Sequence, residues 1–183
     1  MSRFYYHIAV MLCALLSLTS TKAQTIALGE RTPRIKQAKW IDGAIPSEKE
    51  FTYIEFIHSA SISCRQSTEH MHKIISEFDN ISFVLISHQK LSDIDSWVLK
   101  YIDAKSGVII EDSAIRSSFG VNYAPYAVIV DSKHRALWFG NPQLLTRDTI
   151  EKLTESGTDA KPRAEAVYRL CRSAKEEKPA KQD

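Results

Sequence analysis

Three cysteines, six glycines and six prolines in 183 residues exclude several common architectures at the outset. Cysteine this sparse cannot supply a disulfide-stapled scaffold. Glycine and proline this sparse exclude collagen-like and low-complexity chains. Neither sign of charge is in excess, since 24 Lys and Arg stand against 22 Asp and Glu. The basic surplus that drives binding to nucleic acid is therefore lacking. Long apolar runs are lacking as well, except at the N-terminus. What is present is 44% apolar residues, enough to build a core and to exclude global disorder. The length suits one compact domain.

Residues 1–23 read as an address. Arg3 supplies a short basic start, an apolar run spans Phe4 to Leu18, and small and polar residues follow. Thr21 and Ala23 occupy the two positions where a signal peptidase requires small side chains, which places cleavage before Gln24. The apolar run is shorter than the ~20 residues a bilayer span needs. Bulky Leu12 before Cys13 argues against lipidation. Export is expected, with no membrane span after cleavage and a periplasmic destination. Cleavage removes Arg3 and Lys22 and no acid, which takes 24 basic residues to 22 against 22 acidic ones. It also leaves two cysteines, Cys64 and Cys171.

Four segments follow from the pattern: the signal peptide 1–23, a polar lead-in 24–47, a folded domain 48–157 and a charged extension 158–183. Within the lead-in, Arg34–Trp40 reads as an edge strand. Tyr53–Ile57 is an apolar strand with one acid, Glu55. Ser61 opens a helix whose Met71, Ile74, Ile75 and Phe78 fall on one stripe. Ile81–Ile86 reads as a central, doubly buried strand. Ser92–Ile102 reads as a helix with Ile94, Trp97, Val98 and Tyr101 on one face. Val108–Ile110 is a short strand, and Ser113–Phe119 a short helix ended by Gly120. Ala124–Asp131 and Ala136–Gly140 form a hairpin, with Pro125 at the start of its first strand. Thr146 caps a last helix to about Glu155. In the extension, Val167, Leu170, Cys171 and Ala174 share a helical face. The class is α/β, a parallel βαβ half followed by a β-hairpin and a closing helix.

Three local stretches carry a family resemblance. Phe56-Ile57-His58-Ser59-Ala60-Ser61-Ile62-Ser63-Cys64-Arg65 has the form of a strand, an active-site loop and a basic residue opening a helix. Phe119-Gly120-Val121-Asn122-Tyr123-Ala124-Pro125 resembles a segment leading into a cis-proline, and Val130–Trp138 the hairpin after it. In order and spacing they resemble the thioredoxin superfamily, in its exported TlpA/ResA-like, redoxin-type branch. The likeness spans roughly Arg34 to Leu153 and implies the thioredoxin fold, with an N-terminal lead-in and a C-terminal extension.

The resemblance also implies a site, in altered form. The family's Trp falls on Ala60 and its first Cys on Ser61, so its two-thiol motif becomes Ser61-x-x-Cys64. Exchange needs an accessible thiolate at the helix tip and a second thiol to resolve the mixed disulfide. Ser61 is a poor nucleophile and forms no disulfide, so the full dithiol reaction is not expected. Ser61 serves equally well as an N-cap, and Cys64 as a small buried hydrophobe. The resemblance puts Glu55 at the buried acid that accepts a proton from the second Cys; a solvated edge carboxylate is the other reading. It puts Pro125 at the cis position, whose neighbour Ala124 pairs with an extended peptide. A trans bond at a strand start remains open.

The functional class expected is thiol–disulfide exchange and cell redox homeostasis, at most a monothiol enzyme. Two alternatives stand beside it. One is a redox-inactive module binding other extracytoplasmic proteins or peptides. The other is a one-Cys thiol peroxidase, because peroxiredoxins also carry a hydroxyl residue three before the reactive Cys; their Pro seven before it is Ile57 here. A copper site from Cys64, His58, His70 and His72 ranks last, since His70 and His72 point to different sides of a helix. No cofactor or metal is expected. A Cys64–Cys171 disulfide is a further expectation and would silence the site.

Overall fold

The computed structural model describes residues 26–155. Six strands form one sheet: β1 Lys39–Trp40, β2 Phe51–Ile57, β3 Ile81–Ser87, β4 Ser106–Ile110, β5 Tyr126–Asp131 and β6 Ala136–Gly140. Their spatial order is β1-β4-β3-β2-β5-β6. β4, β3 and β2 run parallel, whereas β1, β5 and β6 pair antiparallel with their neighbours. Three α-helices complete the fold: α1 Ile62–Ile75, α2 Ser113–Ser118 and α3 Arg147–Leu153. The α/β class is as expected, with a βαβ half, a hairpin and a closing helix in that order.

Alternation along the strands separates two cores, because successive side chains point to opposite faces. Tyr53 and Ile57 of β2, with Phe83 and Leu85 of β3, pack beneath Cys64, Met71 and Ile75 of α1 and Ile150 and Leu153 of α3. Ile54 and Phe56, with Val84 and Ile86, face the other way onto Ile115, Phe119 and Val121. β3 is buried along its whole length, the position its unbroken apolar run predicts.

Local chemistry fixes the joints. The β5–β6 turn is held by the Asp131 carboxylate, which accepts from the backbone N–H of Lys133 and Arg135 and pairs with the Arg135 guanidinium at 2.7 Å. α2 ends where Gly120 takes a positive φ of 66°, a conformation that suits glycine after a helix. On β4, a Cβ at Gly107 would lie 2.7 Å from both Pro46 and Trp40. Glycine there lets the lead-in cross close over the strand.

Two expectations are corrected. The edge strand Arg34–Trp40 is confined to Lys39–Trp40, paired with Ile110 and Ile109; the residues before it make no ladder. The helix over Ser92–Ile102 is instead two separate 3-10 turns, Leu91–Asp93 and Val98–Tyr101, with Ile94 extended between them. The Asp93 carbonyl, which a continuous helix would use internally, accepts from Ser59 Oγ and Gln89 Nε2. Tertiary hydrogen bonds thus override a helical period, while Trp97 and Val98 still reach the core.

The lead-in is irregular, as expected, yet it is attached. Gly29 N–H donates to the Ala136 carbonyl, Ala136 N–H to the Glu30 carbonyl, and Thr32 N–H to the His134 carbonyl. Ile26 and Ile41 are buried in the cores. The signal peptide 1–23 and the extension 158–183 lie outside the described residues.

Candidate functional site

The site forms where the C-terminal ends of β2 and β3 meet the start of β5. Ile57 pairs with Ser87, and Phe56 with Tyr126. One step further on, His58, His88 and Pro125 enter the same rim. Between β2 and α1 runs the loop His58–Ser61, and Ser61 N–H donates to the His58 carbonyl. Ser61 then caps α1, its Oγ accepting from Cys64 N–H at 3.3 Å. The N-cap role is the one observed.

Cys64 lies on the inner face of α1 with 0% exposure. Its Sγ accepts the His58 N–H at 3.5 Å. The thiol therefore sits beneath the loop and not at its surface. Cys171, the expected disulfide partner, lies outside the described residues.

Glu55 is fully buried, which settles its two readings in favour of the interior one. Its carboxylate accepts from Tyr53 Oη at 3.0 Å and from Ser67 Oγ at 2.7 Å. Ser67 is one turn beyond Cys64 on the same helix face, so strand acid and helix hydroxyl meet below the site. Burial raises the Glu55 carboxyl to about 7, against the lowering effect of hydroxyls from Ser67, Tyr53 and Thr68. The Thr68 hydroxyl lowers it without reaching hydrogen-bond geometry to any partner. Tyr53 is raised in turn, by burial first and by the Glu55 charge second.

The Ala124–Pro125 bond is cis. Beside it, Tyr123 is 54% exposed and meets Tyr126 edge-on at 5.3 Å; on the helix that Ser61 caps, Ile62 is 74% exposed. The segment around the cis bond is thus aromatic at its surface. The structure brings Ser61 and Cys64 together at the start of α1, sets Glu55 against Ser67 one turn further along the helix, and places Pro125 on the rim just before β5.

Several participants carried no local signal. Gln89 clamps the loop, its Oε1 accepting from Ser59 N–H at 2.7 Å and its Nε2 donating to Ser59 Oγ and the Asp93 carbonyl. Trp97 Nε1 donates to the Ser59 carbonyl at 2.8 Å. Tyr53 and Ser67 had a readable signal, since they stand two before Glu55 and three after Cys64. Gln89 and Trp97 had none, being 30 and 38 residues from Ser59.

The four-ligand copper cluster is not assembled. His72 turns onto Phe83 and Tyr101 at ring distances of 5.1 and 4.8 Å. His70 lines a pocket of about 230 Å³ with Gln66, Ser67, Pro142 and Gln143. Among the described residues no three His, Cys, Asp or Glu side chains converge as a metal site, and no helix is long and apolar enough to cross a membrane.

No family model and no curated protein sequence matches the chain. Solved structures do. The thioredoxin domain of a thiol-disulfide oxidoreductase from Bacteroides vulgatus is 15% identical, with a TM-score of 0.57 over 71% of this chain and 99% of that one. A thiol:disulfide interchange protein from Bacteroides sp. gives 14% identity and a TM-score of 0.56, over 73% and 94%. A putative thiol:disulfide interchange protein DsbE from Chlorobium tepidum gives 16% and 0.50, over 63% and 86%. At such identities the likeness is one of fold, and the chain has the thioredoxin fold.

Proposed function

We propose that this protein is an exported thioredoxin-fold module, allied to the thiol–disulfide exchange proteins, that binds an extended segment of another extracytoplasmic polypeptide without two-thiol exchange. One observation carries the reading: the residue at the helix tip is Ser61, engaged as a cap, and the thiol behind it is buried. A dithiol cycle needs a nucleophilic sulfur at the tip, and the hydroxyl there is already accepting a hydrogen bond. Cys64 at 0% exposure also weighs against a peroxidase, whose peroxide must reach the sulfur, and against a mixed disulfide as the mode of binding.

The binding surface in this reading is Ala124–Pro125 with its aromatic surroundings. Glu55 keeps the place of the family's proton acceptor but has no exchange step to serve. Export rests on residues 1–23 and is checked by N-terminal sequencing of the secreted chain, with Gln24 first.

The reading is tested by reduction of insulin disulfides with dithiothreitol. The chain and its Cys64→Ser variant are expected to give only the background rate. Ser61→Cys, which restores the second sulfur at the tip, is expected to raise the rate at least tenfold. A Cys64-dependent rate in the unaltered chain would overturn the proposal.

A further inference from the structure

The apolar platform beside Pro125 is bordered by a continuous arc of basic side chains. His58 follows β2, and its ring lies 5.5 Å from that of His88, which follows β3. Arg116 of α2 donates from Nη1 to His88 Nδ1 at 3.4 Å and from Nε to the Val121 carbonyl at 3.1 Å. Val121 in turn leads through Asn122 to Tyr123 and the cis-proline. The arc therefore runs from the loop over Cys64 round to the platform. The lone pair of His88 Nδ1 faces the guanidinium, which leaves Nε2–H as an outward donor.

Among the described residues no acid forms an ion pair with this arc. Asp112, one turn before Arg116, caps α2 by accepting Ile115 N–H at 2.7 Å. Glu111 pairs with Lys39 at 2.7 Å. Among the described residues Arg116 forms no ion pair, although two hydrogen bonds fix its orientation. A half-buried, oriented guanidinium without a carboxylate is matched by an incoming one.

We infer that the segment bound at this platform is acidic: an extended polypeptide whose apolar side chain rests on Tyr123 and Tyr126 while a neighbouring Asp or Glu meets Arg116 and His88. This rests on the partner-binding reading above and names the chemistry of the partner. Direct charge-assisted hydrogen bonds give affinity and direction, and a Lys at the same place is rejected by like charge.

The test uses the full 15N-labelled chain titrated with three end-blocked heptapeptides of one sequence, with Glu, Gln or Lys beside a central Phe. The Glu peptide is expected to bind roughly tenfold tighter than the Lys peptide, with shifts centred on residues 58, 88, 116 and 123. Arg116→Gln is expected to bring the three within about twofold, with the Gln peptide unchanged. Equal binding of all three by the unaltered chain would overturn the acidic preference and leave the platform standing. Binding of none would overturn both. These two outcomes depend on no variant; a Glu preference intact in both Arg116→Gln and His88→Ala would remove the arc from the explanation.

Discussion

The two faces of β2 differ sharply in what they bury. Ile54 and Phe56 point into an apolar cluster, with one hydroxyl pair, Thr52 and Ser82, at the start of the strand. Tyr53 and Glu55, alternating with them, point into a core that also encloses Ser67, Thr68 and Cys64. A single strand thus carries an ordinary hydrophobic interior on one side and a buried polar network on the other. Apolar burial is favourable with little condition attached, whereas a buried carboxyl stabilises or destabilises according to its charge. One face thus holds the fold by apolar contact, while the stability the other contributes depends on the charge of Glu55.

The contrast is broken most severely from the apolar side. Phe56 is 1% exposed and packs against Phe119 and Tyr126 at ring distances of 5.4 and 6.4 Å. Phe56→Ala is expected to lower unfolding free energy by about 3–5 kcal/mol, independent of pH. Urea unfolding at two pH values checks it.

From the polar side the effect carries a pH dependence. Glu55 has a folded value raised to about 7 from an ordinary 4.5, so the folded state holds a proton that the unfolded chain releases. Its contribution is fully present below about pH 4.5 and is lost as pH rises to about 7. The loss across that window is roughly 3 kcal/mol. Glu55→Gln is expected to abolish this slope; a parent chain equally stable at pH 5 and pH 8 would refute the assignment.

A smaller change comes from the helix cap. Ser61→Ala removes the acceptor for Cys64 N–H and is expected to lower stability by about 1 kcal/mol, with Ser61→Gly recovering most of it. Smallest is Thr68→Val, which deletes the buried hydroxyl that has no hydrogen-bond partner. Thermal melts at pH 5, where Glu55 is protonated and its charge gains nothing from that hydroxyl, are expected to show a gain of up to about 1 kcal/mol.

How much of this was legible in the sequence depended on the range of the interaction. Strand alternation, the Ser61 and Thr146 caps and the Gly120 stop are encoded within a few residues, and the structure places each as expected. The class of fold followed from their order. The stretch Ser92–Ile102 misled because its period was right while its backbone carbonyl at Asp93 was claimed by Ser59 and Gln89. The burial of Glu55 was undecidable locally, since an acid in a strand reads alike at an edge and in an interior. Its partner Ser67 is 12 residues away on another element. The arc of His58, His88 and Arg116 is assembled from three elements and had no signature in any one of them.

The lead-in has a further consequence. Around residues 29–32 it hydrogen-bonds to His134 and Ala136 at the start of β6, and at Lys39–Trp40 it pairs with β4. One short stretch of chain therefore occupies positions on both margins of the sheet, where unpaired N–H and C=O groups invite strands from other molecules. It acts as a selvedge, binding the start of β6 on one side and closing β4 on the other. Trimming a segment that looks dispensable would expose both margins together and turn a self-contained sheet into a template for aggregation.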